Sequence, residues 1–353
     1  MKQKNYINIL IVLTLVNLGG IAGATSNLNS TIVKTRNSVK YATGNWVQVG
    51  QTNPPSARIT TSWVDGQGNA YIFGGTNDSL NAENDLWKYN MASNSWSQVQ
   101  QSNAPSPRYF VASWLDGQGN AYVFGGNDGS VGLNDLYKYN MANNTWSAIQ
   151  QNNMPSIRFA MTSWVDGQGN AYIYGGFGLG DLYKYNMASN SWSALNPSNG
   201  PSPRFGEAVW VDGQGNAYIF GGYDNTQYYN DLWKYNMASN SWSQVQQSNA
   251  PSVRFAMSSW VDGQGNAYIF GGHTAGVQYN DLWQYNIANN TWSQISTSTM
   301  PEVKYLATAW TDSQGNAYIF GGTDNDNGTG LNDLWKYTNS STSKNKAKAK
   351  KHK

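Results

Sequence analysis

The chain of 353 residues has no cysteine and only two histidines, His273 and His352. Disulfides are therefore excluded, and the fold must be held by packing alone. The same shortage excludes most zinc sites, which draw their ligands chiefly from those two residue types. Helix signals are missing as well, because no stretch in the body sustains a 3.6-residue apolar period. The apolar run at 7–18 is too short to span a bilayer, which takes about 20 residues. There is no Gly-x-Ser-x-Gly elbow, no phosphate-binding Gly-Lys-Ser/Thr loop and no His-Glu-x-x-His motif.

What the chain has instead is one passage repeated six times. A Gly-Gly pair recurs at Gly74–Gly75, Gly125–Gly126, Gly175–Gly176, Gly221–Gly222, Gly271–Gly272 and Gly321–Gly322. A period of about 50 residues is the size of one four-stranded propeller blade and too long for a helical solenoid turn. Aromatics and glycine are plentiful, so the composition is all-β. Each copy holds four strand-like runs, named A to D. In the first copy they fall at 59–64, 70–73, 86–89 and 95–99. Asp65-Gly66-Gln67-Gly68-Asn69 reads as the A–B hairpin turn, because glycine supplies positive φ and Asp and Asn bond the local backbone. It lacks the further carboxylates of a calcium loop.

Antiparallel order fixes the two faces of the ring. A–B and C–D turns share one face and are nearly identical between copies. B–C loops and D–A connections share the other. The B–C segments vary, at 76–83, 127–133, 177–180, 223–229, 273–279 and 323–331. Variation on a fixed scaffold marks this as the candidate binding side. The sixth copy stops after Leu334-Trp335-Lys336-Tyr337 and lacks its D strand, while an orphan Asn45-Trp46-Val47-Gln48-Val49 stands at the other end. The expectation is that Trp46's strand completes the last blade and removes two exposed edges.

Four segments follow. Residues 1–24 read as a signal peptide, with Lys2 and Lys4, the apolar run and the small residues Ala22-Gly23-Ala24, so the mature protein is expected outside the cytoplasm, secreted or periplasmic. Residues 25–40 are a spacer, 41–339 the propeller, and 340–353 a lysine-rich tail of disordered composition. The tail reads as a solubilising end or as a weak contact for an anionic surface. The propeller holds eleven basic and all 20 acidic residues, a net charge of about −9. That excludes a nucleic-acid-binding domain with a basic face.

Pro-Ser-x-Arg before strand A, the Gly-Gly pair, Asn-Asp-Leu-Trp-Lys-Tyr and the following Trp together resemble the kelch repeat. The resemblance covers residues 45–337. It implies a six-bladed β-propeller with A innermost at a central channel. Most kelch propellers are protein-binding platforms. Some are copper-radical oxidases resembling galactose oxidase, whose cofactor needs a cysteine cross-linked to tyrosine and cannot form here. Another relative is the exported sialic-acid epimerase, which needs no metal.

Candidate site residues fall on the variable face. Arg58, Arg108, Arg158, Arg204, Arg254 and Lys304 each precede strand A. They read either as a basic ring for an acidic sugar or peptide, or as locks bonded to carbonyls and to aspartates such as Asp85 and Asp135. Glu207 replaces Thr61, Val111, Met161, Met257 and Ala307 of the other copies and, with Arg204, is a candidate general acid/base. His273, directly after Gly271–Gly272, reads as a group able to titrate near neutrality or as a merely solvated loop histidine. Tyr223, Tyr228, Tyr229 and Tyr279 offer rings for sugar stacking, protein anchoring or blade packing. The recurrent tryptophans of strands A and D read as core.

The reading is an exported, non-catalytic, monomeric module that binds a protein or glycan through the B–C/D–A face. The alternative is an enzyme of acidic sugars, such as an epimerase, working in the channel. No metal site, cofactor, nucleic acid or transmembrane segment is expected.

Overall fold

The computed structural model describes residues 44–77, 81–324 and 330–339. The segments read as a signal peptide (1–24), a spacer (25–40) and a lysine-rich tail (340–353) lie outside the described residues. Within them there is no helix, and six four-stranded antiparallel sheets form the blades. In blade one the strands are Ile59–Val64 (A), Asn69–Thr76 (B), Ala82–Asn90 (C) and Ser95–Gln98 (D). The A strands are Ile59–Val64, Ala112–Leu115, Thr162–Val165, Ala208–Val211, Ser258–Val261 and Thr308–Thr311. Each A strand touches the A strands of both neighbouring blades, so they surround the axis.

Closure follows the expectation. Gly44–Gln48 pairs with Leu334–Asn339, with Trp46 opposite Tyr337, and the order of blade six becomes D, C, B, A across the two ends of the chain. Trp46 is buried, and its ring lies 5.1 Å from Phe270 and 6.1 Å from Trp260 of blade five. Trp146 of blade two makes the same contacts with Phe73 and Trp63 of blade one. The rule is general. The A and B aromatics of one blade pack on the C and D aromatics of the next. Gly44 is required at its place, because an added Cβ would lie 2.1 Å from the Tyr337 hydroxyl.

The sheets are apolar on both faces because each is covered by two neighbours. Strand B residues such as Ala70, Ile72 and Phe73 are almost wholly buried. The Asp-Gly-Gln-Gly-Asn segments are self-contained turns. Asp65 Oδ1 accepts from the N–H groups of Gln67 and Asn69, and Oδ2 from the Asn69 side chain. The B–C segments of blades one and two are shorter loops than the sequence suggests. Strands B and C there continue past the Gly-Gly pair through a bulge, to Thr76 and Asn127. In blade five the same region folds into a small hairpin, His273–Thr274 with Val277–Gln278.

Candidate functional site

The six cations at the start of strand A are buried, and they do not form an open anion site. Arg108 shows why. Its Nη1 donates to Asp135 Oδ1 at 2.6 Å and to the Gly125 carbonyl at 3.2 Å. Nη2 donates to Asp135 Oδ2 at 3.0 Å and to Ser106 Oγ at 2.9 Å, and Nε donates to the Ser106 carbonyl at 3.1 Å. A guanidinium has five N–H donors, and all are used. Arg58, Arg158, Arg204 and Arg254 repeat the pattern on Asp85, Asp181, Asp231 and Asp281. Lys304 pairs with Asp333 at 2.6 Å. The expectation of a basic ring facing a ligand is thus corrected, because each charge is neutralised inside its own blade.

This arrangement also accounts for the Pro-Ser-x-Arg motif, since serine supplies two of the five acceptors. In blade six serine becomes Glu302 at the same step as arginine becomes lysine. The backbone of these residues joins the blades. The second glycine of each pair donates its N–H to the carbonyl of the next blade's Arg or Lys, as in Gly75 to Arg108 at 2.9 Å and Gly322 to Arg58 at 3.0 Å. The bond from Gly176 to Arg204, between blades three and four, is the longest of the six at 3.4 Å.

The chain matches the family model for the KLHDC2/KLHL20/DRC7 Kelch-repeats domain twice, over residues 14–214 and 178–353. The chain belongs to the kelch-repeat family. A comparison with curated proteins finds no match. Kelch propellers generally serve as protein-binding modules.

In this kelch propeller the B–C/D–A face carries a crescent of rings around the channel mouth. Phe159 stacks on Phe177 at 5.6 Å, and Phe177 meets Phe205 at 5.5 Å. Phe205 meets Tyr223 at 5.7 Å and Phe255 at 6.1 Å. Phe255 meets His273 at 4.7 Å, and His273 meets Tyr305 at 4.3 Å. Sequence reasoning missed the phenylalanines. Their signal was the position after the Arg or Lys that precedes strand A, which is aromatic in Tyr109, Phe159, Phe205, Phe255 and Tyr305.

The tyrosines proposed for binding divide into two pairs. Tyr223 and Tyr228 stack at 4.4 Å and both lean on Phe255, half-buried within the crescent. Tyr229 and Tyr279 instead cover Arg204 and Arg254, with cation-to-ring distances of 3.8 and 4.0 Å. They seal the Arg–Asp forks, which is a packing role. His273 is not a solvated loop residue. It is 2% exposed, lies between Phe255 and Tyr305, and sits 2.7 Å through Nδ1 from the Thr274 carbonyl.

Inside the crescent the mouth opens as a cavity of about 280 Å³. Its wall includes Phe110, Ala160, Gly206, Ala256 and Leu306, one residue beyond each aromatic position. These residues adopt left-handed backbone with φ of 55 to 69°. For the four with side chains this is a strained conformation, of the kind found at ligand clamps and functional sites. Deeper in the wall stand Thr61, Val111, Met161, Glu207, Met257 and Ala307.

Glu207 is the exception in that layer. It is 8% exposed, both carboxylate oxygens are buried, and neither takes a hydrogen bond from another residue. It occupies the wedge between blades three and four that Met161 and Met257 fill elsewhere. A Cβ added at Gly175 of blade three would lie 3.6 Å from its Oε1. Burial pushes its pKa up to about 7, against a smaller pull from its own N–H and from Arg204, while Asp231 adds to the rise. Tyr174, the only tyrosine among the phenylalanines that end strand B, sits beside it. The Tyr174 hydroxyl donates to the Pro201 and Ser202 carbonyls at 3.2 and 3.1 Å. Sequence comparison of the copies found Glu207 and missed Tyr174. Arg204 is near Glu207, but its donors are all spent on Asp231, Ser202 and Gly221, so the two do not form a pair open to substrate.

Proposed function

We propose that this kelch propeller is an exported, non-catalytic module that holds a protein partner on its B–C/D–A face. One observation carries the reading. Of the large apolar side chains exposed in the described residues, Val131, Met154, Ile157, Val253 and Val277 lie on that face, and Val47 alone lies elsewhere. Apolar groups gathered on one face beside a crescent of aromatics, of which Phe177, Tyr223 and Tyr228 are half-buried, are the usual anchor of a protein interface. The charge of the face supports a basic partner. Glu83, Asp128, Asp224 and Glu302 belong to it, whereas its cations are buried in forks. Export rests on the sequence of residues 1–24.

The test places a photoreactive residue at position 157 on this face and at position 118 on the turn face. Each is exposed to the exported proteins of the source cells. A cross-link at 157 alone, competed by the unlabelled protein but not by a Val131→Asp/Ile157→Asp variant, is the expected result. Equal labelling from both faces removes the reading. Binding to a glycan array, lost in the same double variant, replaces the protein partner with a glycan.

A second reading is an enzyme of acidic sugars, with Glu207, the one carboxyl in a layer of the channel wall that is otherwise Thr, Val, Met or Ala, as its general acid/base. NMR of sialic acid anomers decides it. Interconversion accelerated by the protein and lost in Glu207→Gln establishes the enzyme, and an unchanged rate removes it.

A further inference from the structure

The charges of this chain are sorted by position. Five arginines and Lys304 are bound in forks with aspartates. The other five cations of the propeller, Lys88, Lys138, Lys184, Lys234 and Lys336, lie over tyrosines of strand B at 4.9 to 6.0 Å, near the A–B turns. There they nearly balance the six aspartates that open those turns. Apart from Glu207, the remaining acids of the described residues are Glu83, Asp128, Asp224, Glu302 and Asp324, all in B–C loops or D–A connections. The excess negative charge therefore lies on the B–C/D–A face. The segments on either side of the propeller carry the opposite sign. Residues 1–43 hold five cations and no acid, and residues 340–353 hold six lysines and no acid. Both leave the fold at one point, because Gly44 pairs with Asn339. Blade two closes this end with its C–D turn, between Asn140 and Thr145. Blade six has no such turn, and both segments depart there, on the turn face. Paired antiparallel residues are about 5 Å apart, within the Debye length of about 8 Å at physiological salt, so the two segments start on the same patch.

We propose that the turn face is an attachment face, which the two basic segments hold against a membrane surface of anionic lipid headgroups. With residues 1–24 removed, three cations in 25–43 and six in 340–353 make nine, and a cluster of about four to eight Lys or Arg suffices to hold a chain on anionic lipid. The reach is short. Lys40 stands four residues before Gly44, and Lys344 five after Asn339, so about 14 and 18 Å of fully extended chain at most separate the first cations from the fold. That keeps the turn face beside the headgroups. The acidic B–C/D–A face is repelled by the same charge and points away, which leaves it open to a partner. The turn face has no row of free cations to track an anionic polymer strand, since its lysines are matched by turn aspartates, as in Lys138 to Asp116 at 3.6 Å and Lys336 to Asp312 at 3.4 Å. A sheet of headgroups is the partner that both segments engage together. The inference concerns the opposite face from the docking reading and does not depend on it.

The experiment measures co-sedimentation of the chain from Thr25 onward with vesicles of equal parts phosphatidylcholine and phosphatidylglycerol, and with vesicles of phosphatidylcholine alone. Binding to the anionic vesicles is expected to be at least tenfold tighter, and to weaken at least tenfold at high salt, as screening requires. Replacing the six tail lysines by Gln is expected to weaken it at least tenfold, and replacing Lys34, Arg36 and Lys40 by Gln at least threefold. Both variants are expected to melt like the wild type, since these positions lie outside the blades. The chain has no cysteine, so a single fluorophore goes on Gln264→Cys, in the A–B turn of blade five, or on Val277→Cys, in the B–C loop of the same blade. On vesicles with spin-labelled headgroups the label at 264 is expected to be quenched and the label at 277 to stay bright. Equal affinity for the two kinds of vesicle, a tail variant that binds like the wild type, or quenching at 277 as strong as at 264 overturns the proposal. Soluble polyphosphate bound more tightly than the anionic vesicles also overturns it, and puts a polyanion in place of the membrane. No readout needs the protein partner, so failure here is distinguishable from failure of the docking face.

Discussion

Arg108 and Asp135 are joined by two hydrogen bonds of 2.6 and 3.0 Å, and the three remaining contacts of the guanidinium go to Ser106 and Gly125. The fork is structural, so its loss is read in stability. Removing one partner of a buried pair costs about 3–5 kcal/mol, and the figure here belongs at the low end because the Asp135 side chain is 43% exposed. Arg108→Ala is expected to lower the melting temperature sharply. Arg108→Met with Asp135→Leu is expected to recover much of the loss, since no charge is then left unpaired. Equal melting of Arg108→Ala and wild type contradicts the fork.

Ring closure is tested at Trp46. Its ring replaces in blade six what Trp146 supplies in blade two, and it is 1% exposed in both places. Trp46→Ala is expected to cost about 3–5 kcal/mol. Deleting 44–48 is expected to uncover the Leu334–Asn339 edge of blade six, giving aggregates in size-exclusion chromatography. A soluble monomer with unchanged melting excludes closure by this strand.

Glu207 makes the molecule sensitive to pH in a particular direction. Its folded-state pKa of about 7 exceeds the ordinary 4.5, so its contribution to stability is complete below about pH 4.5 and is lost as pH rises through 7. The range spans on the order of 3 kcal/mol. Glu207→Gln is expected to match the wild type near pH 5 and to exceed it at pH 8 in thermal melts. Asp116, Asp212 and Asp312, whose carboxyls are held below the usual range by turn hydrogen bonds that outweigh burial, are common to both proteins and cancel in the difference. Parallel melting curves across this range contradict the buried, unpartnered carboxyl.

The architecture was legible because it is repeated. Six equal passages and an orphan Trp46 strand leave one way to close a ring. The turns were legible from Asp65, Gly66 and Gly68, whose chemistry is local. The fate of the arginines was legible as one of two readings, since locks on aspartates such as Asp85 and Asp135 stood beside a basic ring, and the structure shows the locks, closed within a blade. Arg108 and Asp135 lie 27 residues apart, and only the antiparallel path of strands B and C brings them together. That a cation and its aspartate recur in every blade, 27 residues apart in four of them, 23 in blade three and 29 in blade six, was the available signal, since a charge repeated with its counter-charge is structural. His273 was misplaced because its burial depends on Phe255 and Tyr305, which arrive from D–A connections of blades five and six. Glu207 was legible as a departure among copies, but its lack of a partner follows from where every cation is spent.

The account centres on an acidic, apolar face that takes basic partners. The direct measurement is fluorescence anisotropy of two peptides identical except that one carries lysines where the other carries glutamates. The wild type is compared with Ile157→Lys on this face and Gln118→Lys on the turn face. The account predicts that the lysine peptide binds, that Ile157→Lys weakens it and that Gln118→Lys leaves it unchanged. Binding of the glutamate peptide at least as tightly, or a loss that follows Gln118→Lys, would contradict it.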